Sequence, residues 1–262
     1  MYFVGIDIGS AATKAAAVDL QGEVLSTAVI PMGTGTRGST AALDALYQAG
    51  GLDPAQCGGI IATGYGRLNF KGADTQLSEI ICHAKGVKKV LPTVHTIIDI
   101  GGQDSKAIRV SDKGTIEQFV MNDKCAAGTG RFLEVMCKVL DLGIGEMGPV
   151  SLTAKEALDI SNTCTVFAES EVISRLSEGC EAPDILAGVH MAVARRVAGL
   201  ARRIGLVPDA ALTGGVAKNQ GIVASLSREL KLPLLIPPEP QLTGALGAAL
   251  FAKEKYEKEV YS

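Results

Sequence analysis

The sequence predicts an α/β protein built as two lobes by internal duplication, and three observations carry that expectation. Strand and helix signals alternate through the first ninety residues. The alternation breaks near Pro92 and then starts again. The two starts also match in chemistry: Gly5-Ile6-Asp7-Ile8-Gly9-Ser10 and Ile98-Asp99-Ile100-Gly101-Gly102-Gln103 each deliver an aspartate from an apolar strand into a glycine turn. One such turn carries little weight, because turns favour Asp and Gly on conformational grounds alone. Two copies about ninety residues apart, each opening a meander of similar length, imply two lobes whose hairpins grip phosphates from both sides.

In order, Tyr2 to Ile8, Thr13 to Leu20 and Glu23 to Ile30 read as a three-strand antiparallel meander. A helix is expected near Ser39 to Ala49, a strand at Gly59 to Thr63 and a helix near Gln76 to Lys88. The second meander runs through His95 to Ile100, Ser105 to Val110 and Thr115 to Met121, followed by helical segments and the strand Ala210 to Thr213. The first lobe is thus placed at 1–92 and the second at 93–262, with a last helix over about 242–257 packed back on the first.

A chain of 262 residues can bury a substantial core. With 47% hydrophobic and 20% charged residues, and 31 glycines in no short period, it reads as globular rather than disordered or fibrous. A net charge of -3 gives no electrostatic reason to expect nucleic acid. Arg195, Arg196, Arg202 and Arg203 recur at i, i+7 and read as the solvated stripe of an amphipathic helix. No signal-peptide pattern follows Met1, and no apolar run is long enough for a membrane span. A cytoplasmic protein is expected, in which six cysteines point to metal or catalysis rather than to disulfides.

Gly9, Ser10, Ala11 and Ala12 are small residues whose backbone N–H groups can approach phosphate oxygens, with the Thr13 hydroxyl and the Lys14 ammonium as added donors. Gly101, Gly102 and Gln103 form a second such loop. Asp7 and Asp99 are hard oxygen ligands suited to Mg²⁺. In Leu212-Thr213-Gly214-Gly215-Val216-Ala217-Lys218-Asn219 a strand meets a helix through a glycine pair, which permits close contact with a base or ribose. The set resembles the actin/hexokinase/heat-shock-chaperone ATPases, a ribonuclease H-like fold with two phosphate loops and a Gly-Gly adenosine motif in this order. That resemblance implies ATP/ADP as ligand, contacts from Gly214, Gly215, Lys218 and Gln241, and water positioning by Gln103 or Asp104. No G-x-x-x-x-G-K-[ST] segment is present. Gly33 to Gly38 fits G-x-G-x-x-G but follows a meander strand and lacks a parallel βαβ unit.

Cys57, Cys82, Cys137 and Cys180 read as small buried hydrophobes. Cys82 and His83 are adjacent on a helix and do not face each other. Cys125 and Cys164 each follow capping-type residues, Asn122-Asp123-Lys124 and Ser161-Asn162-Thr163, and are expected at helix starts, where an anionic thiolate is stabilised. Gly128 and Gly130 just after Cys125 point to close packing. Two cysteines per chain cannot supply the four thiolates of a [4Fe-4S] centre, so a cluster would need two chains.

Asn122 to Phe132 and Thr163 to Glu171 resemble the two signatures of the activator ATPases of 2-hydroxyacyl-CoA dehydratases, and Ala62 to Arg67 and Leu242 to Gly247 are similar to further segments of that family. Lys218 departs from the pattern, standing where a neutral amide can occur. The resemblance implies a homodimer with one [4Fe-4S] cluster held by Cys125 and Cys164 of each chain, fed by a ferredoxin or flavodoxin and passing electrons to a partner iron-sulfur dehydratase or reductase. Benzoyl-CoA reductase-like and double-cubane-cluster proteins are alternative acceptors. Lowering a one-electron potential by several hundred millivolts needs on the order of 5 to 10 kcal/mol, the scale ATP can deliver. Two rivals remain: a small-molecule kinase of the same fold, which would not require Cys125 or Cys164, and a nucleotide-sensing scaffold, which would bind ATP without iron.

Overall fold

The computed structural model describes residues 1–35, 37–160 and 164–261. Two compact units emerge. The first comprises Met1–Val94, Val110–Ile116 and the chain from Pro237 onward; the second comprises His95–Arg109 and Glu117–Ile236.

Unit 1 holds strands β1 (Tyr2–Ile8), β2 (Thr13–Val18), β3 (Val24–Ile30), β4 (Cys57–Thr63) and β5 (Thr75–Gln76), with helices α1 (Gly38–Gly50), α2 (Glu79–Val90) and α8 (Thr243–Tyr261). The sheet order is β3-β2-β1-β4-β5, antiparallel within the meander and parallel across β1, β4 and β5. β1 is buried along its whole length because both faces of the sheet are covered, which is why it reads as a near-continuous apolar run. Its Tyr2 and Val4 meet Ala42 and Leu46 of α1, whereas Phe3 meets Leu246, Ala249 and Leu250 of α8. The helix expected from Gln76 starts later. Gln76 instead pairs with Ala62 in the short strand β5, and α2 opens after Ser78, whose hydroxyl accepts from the Ile80 N–H at 3.4 Å.

Unit 2 holds β6 (Thr96–Ile100), β7 (Ser105–Val110), β8 (Ile116–Asn122), β9 (Ala210–Thr213) and β10 (Leu234–Leu235), in the order β10-β9-β6-β7-β8. Read from the other edge, this is the strand order of unit 1. Helices α3 (Gly130–Val139), α4 (Met147–Ser151), α5 (Thr165–Ser177), α6 (Ala182–Arg203) and α7 (Gln220–Leu230) supply most of a core that includes Ile98, Ile100, Phe132, Met136, Ile185, Val189 and Leu212. On α6, Arg195, Arg202 and Arg203 are exposed, but Arg196 is half-buried against Gly128. No helix among the described residues is long and apolar enough to cross a membrane.

Candidate functional site

Asp7 continues the Phe3–Gly5 face of β1 and is 4% exposed. Its cross-strand partner is Lys14, whose Nζ lies 3.2 Å from Asp7 Oδ2. The other carboxylate oxygen packs against Gly64, where φ is +86° and an added Cβ would lie 2.3 Å from Oδ1. The Gly9 N–H closes the hairpin on the Ala12 carbonyl at 3.1 Å, leaving Ala11 exposed at the tip. From the 33–38 segment, Gly33 and Thr34 buttress this hairpin: the Thr34 N–H donates to the Gly9 carbonyl at 2.9 Å, and Gly33 abuts the Ser10 carbonyl. Thr36 of that segment lies outside the described residues. Thr13, expected as a phosphate donor, is fully buried and donates its hydroxyl to the Met32 carbonyl at 2.8 Å. That proton is committed inside the lobe.

Three glycines bring α8 onto this site. A Cβ at Gly5 would lie 2.0 Å from the Ala245 carbonyl oxygen, at Gly86 1.9 Å from that of Thr243, and at Gly247 1.8 Å from that of Cys82. Only bare backbone allows α8 to lie so close to β1 and α2. Its first turn consequently reaches the aspartate, Gly244 standing where a Cβ would be 3.3 Å from Asp7 Oδ2. A helix N-terminus favours a carboxylate. Gln241 sits in the turn that leads into α8, which the Leu242 N–H closes on the Glu239 carbonyl at 3.0 Å.

Unit 2 repeats the arrangement residue for residue. Each aspartate pairs with a lysine seven positions later across an antiparallel ladder and with a threonine across a parallel one: Asp7 with Lys14 and Thr63, Asp99 with Lys106 and Thr213. A glycine with φ +86° follows each threonine, Gly64 and Gly214. Asp99 accepts from Thr213 Oγ1 at 2.8 Å, while Lys106 Nζ lies 3.4 Å from Asp99 Oδ2 and 2.8 Å from Asp104 Oδ2. Sequence reasoning missed Lys106; the repeated seven-residue spacing was its signal. The second hairpin closes through the Gly101 N–H and the Asp104 carbonyl at 2.9 Å, with Gln103 exposed at its tip. Gly215 and Lys218 are exposed on a short 3-10 turn, and Asn219 caps α7 by accepting from the Gly221 and Ile222 N–H groups. Behind Asn219, burial pushes the His190 imidazole down to about 4.

Asp7, Gly9 to Lys14 and Gln241 therefore belong to unit 1, and Asp99, Gly101 to Asp104, Gly214, Gly215, Lys218, Cys125 and Cys164 to unit 2.

Cys125 is not at a helix start. It lies in the loop after β8, where Asn122 Nδ2 donates to the Cys125 and Ala127 carbonyls at 2.8 and 3.2 Å. Gly128, with φ +87°, turns the chain before α3 begins at Gly130. The first amides of α3 are taken by the second hairpin: Gly130 donates to the Gly101 carbonyl and Arg131 to that of Gly102, both at 2.8 Å. Cys164 is the N-cap residue of α5, and no side chain among the described residues caps that helix. Ser161, Asn162 and Thr163 lie outside the described residues. Of the four cysteines read as buried hydrophobes, Cys82 and Cys137 are buried, whereas Cys57 and Cys180 are only half-buried. Burial pushes the Cys82 thiol up to about 12, partly opposed by a hydrogen bond with Thr63.

Thr165 Oγ1, at the start of α5, is buried and has no hydrogen-bond partner among the described residues. A helix N-terminus and a buried hydroxyl that have no side-chain partner among the described residues, beside a half-buried thiol, suit an anionic sulfur-ligated group. No cluster of three or more metal-ligating side chains occurs among the described residues. Cys125 and Cys164 are two half-buried thiols of unit 2, and Asp7 and Asp99 give each unit one buried carboxylate.

A profile of the BadF/BadG/BcrA/BcrD ATPase family matches residues 4–252. The chain is 53% identical over 259 residues to the activator of lactoyl-CoA dehydratase of Anaerotignum propionicum, covering 99% of this chain and 100% of that one. The structure of the activator of the 2-hydroxyisocaproyl-CoA dehydratase from Clostridium difficile with bound ADPNP superposes with a TM-score of 0.97 at 46% identity, covering 100% of this chain and 97% of that one. A ROK family glucokinase from Streptomyces griseus shares the fold alone, with a TM-score of 0.58 at 16% identity over 97% of this chain and 100% of its own. The fold is the actin/hexokinase-like duplicated α/β fold.

Proposed function

The chain belongs to the BadF/BadG/BcrA/BcrD ATPase family, and from that premise we propose that it couples ATP hydrolysis to one-electron transfer from a [4Fe-4S] cluster shared by two copies of the chain to a partner iron-sulfur enzyme, a 2-hydroxyacyl-CoA dehydratase. One observation carries the reading. The amides of Gly130 and Arg131, which end the Cys125 loop, are hydrogen-bonded to the carbonyls of the second hairpin. A shift of Gly101 and Gly102 on gaining or losing the γ-phosphate acts directly on the backbone that follows Cys125.

In this reading Asp7 and Asp99 hold Mg²⁺, while Lys14 and the backbone N–H groups of Gly9 to Ala12 take phosphate oxygens. Gln103 orients the attacking water, because Asp104 is held by Lys106. Gly214, Gly215, Lys218 and Gln241 contact the nucleoside. Cys125 and Cys164 of each copy hold the cluster, which when bound supplies low-potential one-electron chemistry. Val166 and Phe167, 65% and 68% exposed beside Cys164, give two copies an apolar surface on which to meet around the thiols. Electrons arrive from a ferredoxin or flavodoxin in the cytoplasm.

Anaerobic purification followed by iron and acid-labile sulfide analysis tests the proposal. About four of each per dimer are expected, lost in Cys164→Ser. A dimer that stays iron-free after anaerobic reconstitution, yet hydrolyses ATP, would sink it.

A further inference from the structure

Among the buried imidazoles that the roles assigned above leave unused, His83 lies beside Asp7. His83 lies on α2, is 6% exposed, and its Nδ1 is 3.0 Å from Thr243 Oγ1 in the first turn of α8. The next residue, Gly244, marks a point of convergence. A Cβ there would be 3.2 Å from His83 Nε2 and 3.3 Å from Asp7 Oδ2, so both atoms close on the same point in space. Asp7 Oδ1 is meanwhile packed against Gly64, and Oδ2 is shared with Lys14 Nζ at 3.2 Å.

We infer that His83 is a positioning residue for Asp7. Its Nδ1 edge is anchored on Thr243, its Nε2 edge walls the Oδ2 side of the carboxylate, and the ring thereby fixes both the first turn of α8 and the direction in which Asp7 presents its oxygens. The glycine at 244 is part of the device, since any side chain there would enter the space on which the imidazole and the carboxylate converge. A buried carboxylate needs several orienting neighbours to hold one rotamer, and Lys14 alone, on a flexible stem, sets charge rather than direction. This inference rests on the assignment of Asp7 to the nucleotide-bound Mg²⁺.

Two substitutions separate the edges of the ring. His83→Asn keeps an amide where Nδ1 meets Thr243 and removes Nε2; His83→Gln places its amide near the Nε2 position. The readouts are the melting temperature without nucleotide, calorimetric binding of ADP with and without Mg²⁺, and KM against kcat for MgATP. His83→Asn is expected to melt close to the wild type, to bind metal-free ADP unchanged, and to bind MgADP about tenfold more weakly, the scale of one well-placed support. His83→Gln, which keeps a group near the Nε2 position without the Thr243 anchor, should restore part of that loss. Thr243→Val, which removes the anchor and leaves the ring, should weaken MgADP in the same direction. Unchanged MgADP binding in His83→Asn, or an equal loss with and without Mg²⁺ that tracks melting temperature in all three variants, overturns the inference. Asp7→Asn isolates the premise: if it leaves the Mg²⁺ dependence of ADP binding intact, the assignment of Asp7 fails and the positioning role falls with it.

Discussion

Replacing Lys106 by Met removes the cation from between Asp99 and Asp104 and leaves both carboxylates behind. The Lys106 and Asp99 side chains are 3% and 4% exposed, with Nζ 3.4 Å from Asp99 Oδ2 and 2.8 Å from Asp104 Oδ2. Met fills nearly the same volume, so packing changes little and the loss is electrostatic. Breaking a buried pair from one side costs about 3 to 5 kcal/mol, because the remaining carboxylate keeps its desolvation penalty once its cation is gone. The equivalent pair in unit 1 provides the comparison: Lys14 is 17% exposed but Asp7 only 6%, so Lys14→Met also strands a buried carboxylate and should cost more than the about 1 kcal/mol of an exposed pair, though less than Lys106→Met. Urea unfolding of Lys106→Met, Asp99→Asn and the double variant, all without nucleotide, measures both the loss and the coupling. The double variant should be more stable than the sum of the single losses predicts, by about 1 to 3 kcal/mol. A loss below about 1 kcal/mol in Lys106→Met, or additive single losses, would refute the reasoning, since either would mean that the burial around Asp99 does not isolate the pair from water.

Gly214→Ala should destabilise by about 2 kcal/mol or more, because φ is +86° and the new Cβ would lie 2.3 Å from the Ile100 carbonyl oxygen, whereas Gly145→Ala, with nothing within 4 Å, should be neutral in the same melting assay. His190 makes stability fall with acidity. Its folded pKa is lowered to about 4 from 6.5, so between those values the unfolded chain takes up a proton that the folded one refuses; stability is complete above 6.5 and declines as pH drops toward 4. At pH 5 the loss is about 2 kcal/mol relative to pH 7, and His190→Gln should flatten that part of the urea-midpoint profile.

What could be read from the sequence was local. Asp7 and Asp99 stood out because strands covered on both faces give continuous apolar runs, and because the turns that follow use residues chosen for conformation. The cysteine pair was visible as well, but the position of Cys125 relative to α3 was not: Gly128 at φ +87° turns the chain before the helix, and the helix is started by carbonyls from a hairpin some thirty residues earlier. The roles of Thr63 and His83 were illegible for the same kind of reason, whereas Lys106 was marked only by the seven-residue spacing it shares with Lys14. Their importance lies in ladder register and in close contact between α2 and α8, neither of which a window of neighbouring residues contains. The short strand β5 was lost to the helical pattern beside it, as two residues are too few to show a period.

The stacking of α8 on Gly5 and Gly86 also bears on the order in which the protein is made. The strand that carries Asp7 is translated well before the helix that covers its face and meets its carboxylate, which is encoded more than two hundred residues later. Unit 2 is synthesised in the interval, so it has the opportunity to form its own core while the sheet of unit 1 still waits with one side bare. A chain halted before Thr243 would carry the first hairpin but not the helix end beside it. An interrupted product would therefore keep Asp7 without the helix end that meets it and would leave one face of the sheet of unit 1 bare.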